Sequence, residues 1–148
     1  MTVHEDKRAP WPQFLKLWVR FLEEVNSGQS VVVVEGERDR VALGRLGVSG
    51  SVILVHHGAS LSALAEELGR DRRSIIVLTD WDAEGGHLAH RLRELLPARP
   101  VVDLELRRRL ALVLRGEVTH VEGLYRWARR TAEGAGAPLE HWFDGATG

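Results

Sequence analysis

Two aspartates, Asp80 and Asp82, directly follow an apolar run at residues 75–78. The run has the length and composition of a strand that is buried on both faces, as in a parallel sheet. Side chains two positions apart on an extended chain point to the same side, so we expect the two carboxylates to project together. Like charges this close repel each other unless one is protonated or a cation lies between them. A hard ion such as Mg2+ suits these oxygen ligands and keeps waters that a phosphate can replace.

A structural interpretation of the same acids stays open. An aspartate between a strand and a helix often caps the helix, and a glutamate in the first turn favours the helix dipole. Capping would account for one acid, Asp82 or Glu84. It would leave Asp80 unexplained.

Two further apolar runs, at residues 31–34 and 52–55, also end in residues that can do chemistry. The first is followed by Glu35, and the second by His57, although a histidine in such a place is more often a surface or packing residue. Each run precedes a helical pattern, which predicts parallel strands joined by crossover helices. Ligands bind such sheets beyond the carboxyl ends of the strands. The topology therefore gathers Glu35, His57 and Asp80 at one edge and favours a metal site there.

Two segments of the chain match a known pattern, in which a glutamate ends one strand and Asp-x-Asp ends another. The first runs Val33-Val34-Glu35-Gly36-Glu37-Arg38-Asp39, and the second runs Thr79-Asp80-Trp81-Asp82-Ala83-Glu84-Gly85. Together, at this spacing, they resemble the Toprim domain. That domain is the catalytic module of topoisomerases, bacterial primases, overcoming-lysogenization-defect nucleases and the nucleases that mature 5S ribosomal RNA. The resemblance covers about residues 30–102.

The resemblance implies a role for each matching residue. Glu35, Asp80 and Asp82 fill the family pattern and become the catalytic residues, with Mg2+ held by Asp80 and Asp82, and Mn2+ able to substitute. Glu35 would be a general base or a ligand to a second ion. Glu84 would be a further metal ligand, and the supporting residues are Asp39, Gly36, Gly85 and His57. Asp39 also has a structural interpretation, at the start of the next helix.

Departures from the family pattern narrow the range of functions that the resemblance implies. Trp81 stands where small or apolar residues are common, and Gly86 replaces the second glutamate of the topoisomerase version. The chain has no room for a domain that carries a nucleophilic tyrosine, and Tyr125 lies in a helical pattern. What remains resembles the small stand-alone Toprim proteins. The implied function is Mg2+-dependent hydrolysis of phosphodiester bonds in nucleic acid, in structured RNA rather than DNA.

The predicted fold is α/β, a Toprim-like (Rossmann-like) parallel sheet of about four strands with helices on both faces. An N-terminal amphipathic helix at 1–29 packs on the core at 30–103, helices follow at 104–133, and 134–148 is a tail, in which docking of Trp142 and Phe143 on the core stays open. The aromatic stripe of the first helix packs on the sheet or against a homodimer or helper protein. Arginines at four positions are candidate phosphate contacts or solvated helix faces: Arg38, Arg107, Arg108 and Arg109.

Composition excludes some classes of function. The sequence contains no cysteine, so neither a disulfide framework nor a thiolate metal site can form. No apolar run is long enough to span a membrane, and the first residues lack the pattern of a signal peptide, so we expect a cytoplasmic protein. The net charge of −1 leaves room for a basic surface away from the acidic site.

Two other functions stay open. The chain could be a non-catalytic, metal-dependent nucleic-acid-binding or assembly factor with the same fold. A phosphoryl-transfer or receiver-like domain is a weaker alternative, because it requires a lysine at a later strand end and the sequence has none after Lys16.

Overall fold

A computed structural model describes residues 10–55, 60–96 and 101–143. Parallel strands form one sheet in the order β2-β1-β3-β4. The strands are β1 (Ser30–Val34), β2 (Val52–Leu54), β3 (Ser74–Val77) and β4 (Val102–Asp103). The helices are α1 (Pro10–Asn26), α2 (Glu37–Arg45), α3 (Leu61–Asp71), α4 (Ala83–Leu95), α5 (Glu105–Leu114), α6 (Val121–Gly134) and α7 (Leu139–Trp142). The predicted α/β architecture, a four-stranded parallel sheet between helices, is confirmed.

The valines of β1 alternate between two cores, one on each face of the sheet. Val32 and Val34 face the core that α1, α2, α5 and α6 build, and Val31 and Val33 face the core that α3 and α4 build. Side chains on a strand alternate between its two faces. Because both faces are covered, every residue of β1 is buried, which explains the unbroken run of valines at 31–34.

The sheet has a switch point between β1 and β3. From β1 the chain crosses to β2 on one side, then returns past β1 to β3 on the other side. Val33 is the register partner of Val77, so the residues that follow β1 and β3 emerge side by side. Such a switch point leaves a crevice at the carboxyl edge, where ligands bind in open α/β sheets.

The aromatic stripe of α1 packs inside the chain. Trp11, Phe14, Trp18 and Phe21 are all at most 3% exposed, and Trp18 Nε1 donates to the backbone oxygen of Leu46 at 2.8 Å. The expected use of this stripe as a surface for a homodimer or helper protein is therefore wrong, since the chain itself covers it. Among the described helices, none is long and apolar enough to cross a membrane.

The C-terminal segment is not a free tail throughout, and Phe143, for which docking was left open, is buried. Up to residue 143 it docks on the core: Leu139 and Phe143 are buried, and Trp142 Nε1 donates to the backbone oxygen of Ala137 at 3.0 Å. Leu139 and Phe143 lie four residues apart, which puts both on one side of a helical turn. Their burial offsets the flexibility that the glycines of this segment suggest.

Candidate functional site

Glu35 and Asp80 meet at the switch point of the sheet. Glu35 follows β1, and its Oε2 accepts the backbone N–H of Asp80 at 2.8 Å. Just before Asp80, Leu78 N–H donates to the Val33 oxygen at 2.8 Å, which continues the pairing of the two strands past their ends. A side chain from one strand end thus fixes the backbone at the next.

The carboxylate of Asp80 lies against the N-terminus of α6. Its Oδ1 accepts the backbone N–H of Val121, the first residue of that helix, at 3.0 Å. Burial raises the pKa of Asp80 to about 7, with the carboxylates of Glu35 and Asp39 adding to the rise and the Val121 bond opposing it. Near neutral pH this carboxyl group therefore requires a proton or another positive charge in the crevice.

Asp39 belongs to the same acidic group and also caps its own helix. Its Oδ2 accepts the backbone N–H of Gly36 at 3.0 Å, and it is 8% exposed. Burial raises the pKa of Asp39, with the charges of Glu35 and Glu122 contributing. The structural interpretation of Asp39 as an N-terminal residue of α2 matches this geometry. The charge of Asp39 nevertheless acts on the site.

The side chain of Asp82 caps α4. Its Oδ1 accepts the backbone N–H of Gly85 at 2.7 Å, whereas Asp80 binds α6. The strand does not continue through the motif, because β3 ends at Val77 and the chain bends at Asp82; the joint projection of the two carboxylates stays a prediction. Asp82 and Glu84 are exposed, with Glu84 in the first turn of α4.

Gly85 allows α4 to approach the acidic segment closely. A Cβ at this position would lie 1.8 Å from the backbone oxygen of Asp80, a distance that no side chain tolerates. The hydroxyl of Thr79, which is fully buried, donates to the Gly85 oxygen at 2.8 Å. The supporting role predicted for Gly85 has a steric basis here. No comparable crowding exists at Gly36, where a Cβ would meet nothing within 4 Å.

Arg107 binds the backbone of the acidic segment. Its Nη2 donates to the Asp80 oxygen at 2.6 Å and to the Asp82 oxygen at 3.3 Å. Its Nε lies 3.2 Å from the oxygens of Thr79 and Asp80. Burial lowers the pKa of Arg107, and the charges of Asp82, Glu35 and Asp80 oppose that effect. The planar guanidinium therefore holds the backbone of the Asp-x-Asp segment, a role that the sequence did not reveal.

The remaining candidate arginines are exposed. Arg108 and Arg109 both pair with Glu105, at 2.5 and 2.8 Å, and these bonds lower the pKa of Glu105 to about 2. Arg38 lies 3.9 Å from Glu122. On α5, Arg107 thus contacts the backbone of the acidic segment, whereas Arg108 and Arg109 form a surface ion-pair network.

Trp81 brings the start of α6 to the site, a contribution that sequence reasoning missed. Its Nε1 donates to the Val118 oxygen at 2.5 Å, and its backbone N–H donates to the Thr119 oxygen at 2.9 Å. The turn that precedes α6 is therefore held against the Asp-x-Asp segment. A tryptophan inside an acidic motif was the available signal, because a buried indole N–H normally finds an acceptor.

The acids supply oxygen ligands, but they do not form a complete metal-binding site. Within residues 10–55, 60–96 and 101–143, no group of three or more His, Cys, Asp or Glu residues is placed to hold a metal. His57 lies outside the described residues. Mg2+, however, usually takes only one or two carboxylates and fills its shell with water and phosphate. The crowded carboxylates of Glu35 and Asp80, with the raised pKa of Asp80, fit a hard cation of that kind.

The Toprim domain matches residues 30–108 of this chain. The chain belongs to the Toprim family. The match includes Glu35, Asp80, Asp82 and Arg107 and ends before α6, so the contact between Asp80 and Val121 joins the Toprim domain to a helix outside it. Toprim domains are associated with metal-dependent enzymes that act on nucleic acids, and they generally bind divalent metals.

Relatives of this Toprim protein occur among archaea. It is 34% identical over 112 residues to a UPF0292 protein of Methanosarcina barkeri, covering 74% of this chain and 76% of that protein. A UPF0292 protein of Pyrococcus furiosus is 32% identical over 117 residues, covering 78% and 86%. The structure of a putative protein from Aquifex aeolicus superposes with a TM-score of 0.57 at 24% identity, over 71% of this chain and 93% of that one. That likeness shows the fold alone.

Proposed function

We propose that this protein is a Mg2+-dependent hydrolase of phosphodiester bonds in nucleic acid, and that structured RNA is its substrate. The observation that carries the proposal is the junction of Glu35 and Asp80 at the switch point, where burial, with the neighbouring carboxylates, raises the pKa of Asp80 to about 7. A crevice that needs positive charge suits a divalent ion and the phosphate it brings. The resemblance to stand-alone RNA-maturation nucleases supports RNA over DNA.

Asp80 and Asp82 would hold the ion, assisted by Asp39 or Glu84, and Mn2+ can substitute for Mg2+. When bound, the ion neutralises charge on the phosphate and lowers the pKa of a water molecule. Asp82 has to give up its bond to Gly85 N–H, or share the oxygen, to serve as a ligand. Its exposed position makes that exchange inexpensive.

Glu35 is the candidate general base. The backbone N–H of Asp80, 2.8 Å from Oε2, orients the carboxylate, which then takes the proton of the attacking water at an oxygen. Arg107 keeps the carbonyls of Asp80 and Asp82 in place, so the backbone that carries these acids keeps its position while the substrate binds. A ligand to a second ion is the other role for Glu35.

Replacement of Glu35 by Gln tests the proposal. Wild-type protein is incubated with structured RNA, single-stranded RNA and plasmid DNA, in Mg2+ or Mn2+, with and without EDTA. We expect cleavage that EDTA stops, and a rate roughly a hundredfold lower in Glu35→Gln, the usual scale for loss of a general base. Glu66→Gln is the matched control, because Glu66 is exposed on α3. Cleavage by Glu35→Gln at the wild-type rate would contradict the role of Glu35.

A non-catalytic, metal-dependent nucleic-acid-binding factor is the second candidate. It is favoured by the fact that each of four acids already accepts a backbone N–H: Glu35, Asp39, Asp80 and Asp82. Carboxylates used in this way stabilise the fold without any chemistry. Nucleic-acid binding that depends on the metal, with no cleavage of any substrate in Mn2+, would favour this function.

A further inference from the structure

A groove with a volume of about 410 Å3 lies along the first turns of α6. We call it the α6 groove, and the residues that matter here are Glu117, Val118, His120, Glu122, Arg126 and Arg130. It lies outside the segment that matches the Toprim domain, which ends at residue 108. The groove is therefore a feature of this chain's own C-terminal helices.

The α6 groove borders the acidic crevice. The Val118 oxygen, at one end of the groove, accepts Trp81 Nε1 from inside the Asp-x-Asp segment. Val121, which follows the groove residue His120, donates its N–H to the Asp80 carboxylate. A nucleic-acid strand that has one phosphate beside Asp80 can thus continue directly into the groove.

The groove holds two carboxylates and two arginines, and the arginines are the charges that a phosphate can bind. Glu117 accepts the indole N–H of Trp127 at 3.0 Å, and Glu122 lies 3.9 Å from Arg38. Arg126 and Arg130 are exposed and, within the part of the chain that the structure describes, have no ion-pair partner. Their guanidinium groups are free to bind an anion.

The other arginine-rich helix near the site is already occupied. On α5, Arg107 binds backbone oxygens, and Arg108 and Arg109 share Glu105. An incoming phosphate would have to compete with a carboxylate for either of these two exposed residues. On α6 it would meet no such competitor at Arg126 or Arg130.

We infer that the α6 groove binds the phosphodiester backbone of the nucleic acid whose reacting phosphate lies at Glu35 and Asp80. The inference rests on the proposed function and adds the path of the substrate across the surface. Arg126 and Arg130 are four residues apart on one helix, a rise of about 6 Å. The two side chains can therefore contact two separate phosphates, from which each contact releases counterions.

The test is the salt dependence of binding, measured in Mg2+ with Glu35→Gln present in every form of the protein, so that the metal is available and turnover is slow. The probes are a fluorescently labelled RNA hairpin and a DNA duplex of matching sequence. Arg126→Gln with Arg130→Gln removes two charges from the groove, and Arg108→Gln with Arg109→Gln removes two from α5. Arg126→Lys with Arg130→Lys keeps the charge and shows whether any loss comes from charge or from folding.

We expect the α6 double Gln variant to bind with a log–log salt slope shallower by about 1.4 to 1.8, at 0.7 to 0.9 per phosphate contact. The α5 variant and the Lys variant should keep the slope of Glu35→Gln alone. An unchanged slope in the α6 variant, or an equal loss in the α5 variant, would overturn the inference. The probe that binds more tightly identifies the preferred nucleic acid. The slope difference measured on that probe decides whether the inference holds.

The outcome is separable from that of the proposed function. The wild type could show EDTA-sensitive cleavage while the α6 variant keeps an unchanged slope. That result overturns the inferred role of the α6 groove and supports the proposed hydrolase function. A slope loss confined to the α6 variant, without cleavage by any form of the protein, supports the groove and makes the protein a binding factor.

Discussion

Asp80 and Val121 are 41 positions apart, yet a 3.0 Å hydrogen bond joins the carboxylate of one to the backbone N–H of the other. The bond ties the end of β3 to the start of α6. It also opposes the rise in the pKa of Asp80, because the positive end of a helix stabilises a nearby negative charge. The acid at the centre of the crevice is thus adjusted by a helix that the family match does not include.

The stability of the protein without metal should fall as the pH rises. The pKa of Asp80 is raised from its ordinary value of 3.8 to about 7 in the folded state. Between these values the folded protein binds more protons at Asp80 than the unfolded chain does, so the free energy of unfolding decreases with increasing pH. In EDTA, Asp80→Asn should therefore melt higher than wild type at pH 8, and by less at pH 5. A gain of equal size at both pH values would contradict the assignment of the shift to Asp80.

Divalent metal should raise the melting temperature, because the ion binds the folded state and relieves repulsion among the acids. The shift should be larger at pH 8 than at pH 5, since protons compete for Asp80 at the lower pH. Asp80→Asn with Asp82→Asn should abolish it. Thermal unfolding with Mg2+, Mn2+ and EDTA measures the effect. A full metal response in the double variant would exclude these two residues as ligands.

Arg107→Lys should destabilise the protein while keeping its charge. A lysine cannot reproduce the planar fork that reaches the oxygens of Thr79, Asp80 and Asp82. Hydrogen bonds to charged groups are worth about 1.5 to 3 kcal/mol, and we expect a loss of about that size in urea unfolding. Arg109→Lys is the control, because exposed ion pairs such as its contact with Glu105 contribute little. Equal losses in both variants would argue against a special role for Arg107.

Gly85→Ala should be far more damaging than other glycine substitutions in helices. Its Cβ would meet the Asp80 oxygen at 1.8 Å, so α4 or the acidic segment must shift, at a cost of about 3 kcal/mol or more. At Gly44, inside α2, an added Cβ meets nothing within 4 Å, and alanine should be neutral or stabilising by up to about 1 kcal/mol. Denaturant unfolding of both variants tests the contrast. Similar stabilities would contradict the close approach at Gly85.

The arrangement of the sheet could be predicted because its signals are local. Apolar runs such as residues 31–34 identify buried strands, and parallel strands bring their carboxyl ends to one edge whatever the sequence separation. The meeting of Glu35 with Asp80 follows from these two facts. The direction of the Asp82 carboxylate does not, because it depends on where β3 stops and the chain bends.

The contributions of the C-terminal helices could not be predicted. Val121 and Val118 act through backbone atoms, which every residue type possesses, so no side-chain pattern marks them. Arg107 looks like its neighbours Arg108 and Arg109 in sequence, and only tertiary packing turns it towards the Asp80 oxygen. Docking near Phe143 was open from its aromatic side chain, but the short helix Leu139–Trp142 was hidden by the flexible composition around it.

The bond between Asp80 and Val121 has a consequence for how such proteins diversify. The strand-end acids belong to the segment that matches the Toprim domain, whereas the helix that holds Asp80 lies outside that segment. A change in that helix can alter the acidity of Asp80 without any change in the motif itself. Transplanting the motif segment alone into another scaffold would then transfer the motif's sequence but not the pKa of its first aspartate. Two Toprim proteins with identical motifs can in this way work best at different pH.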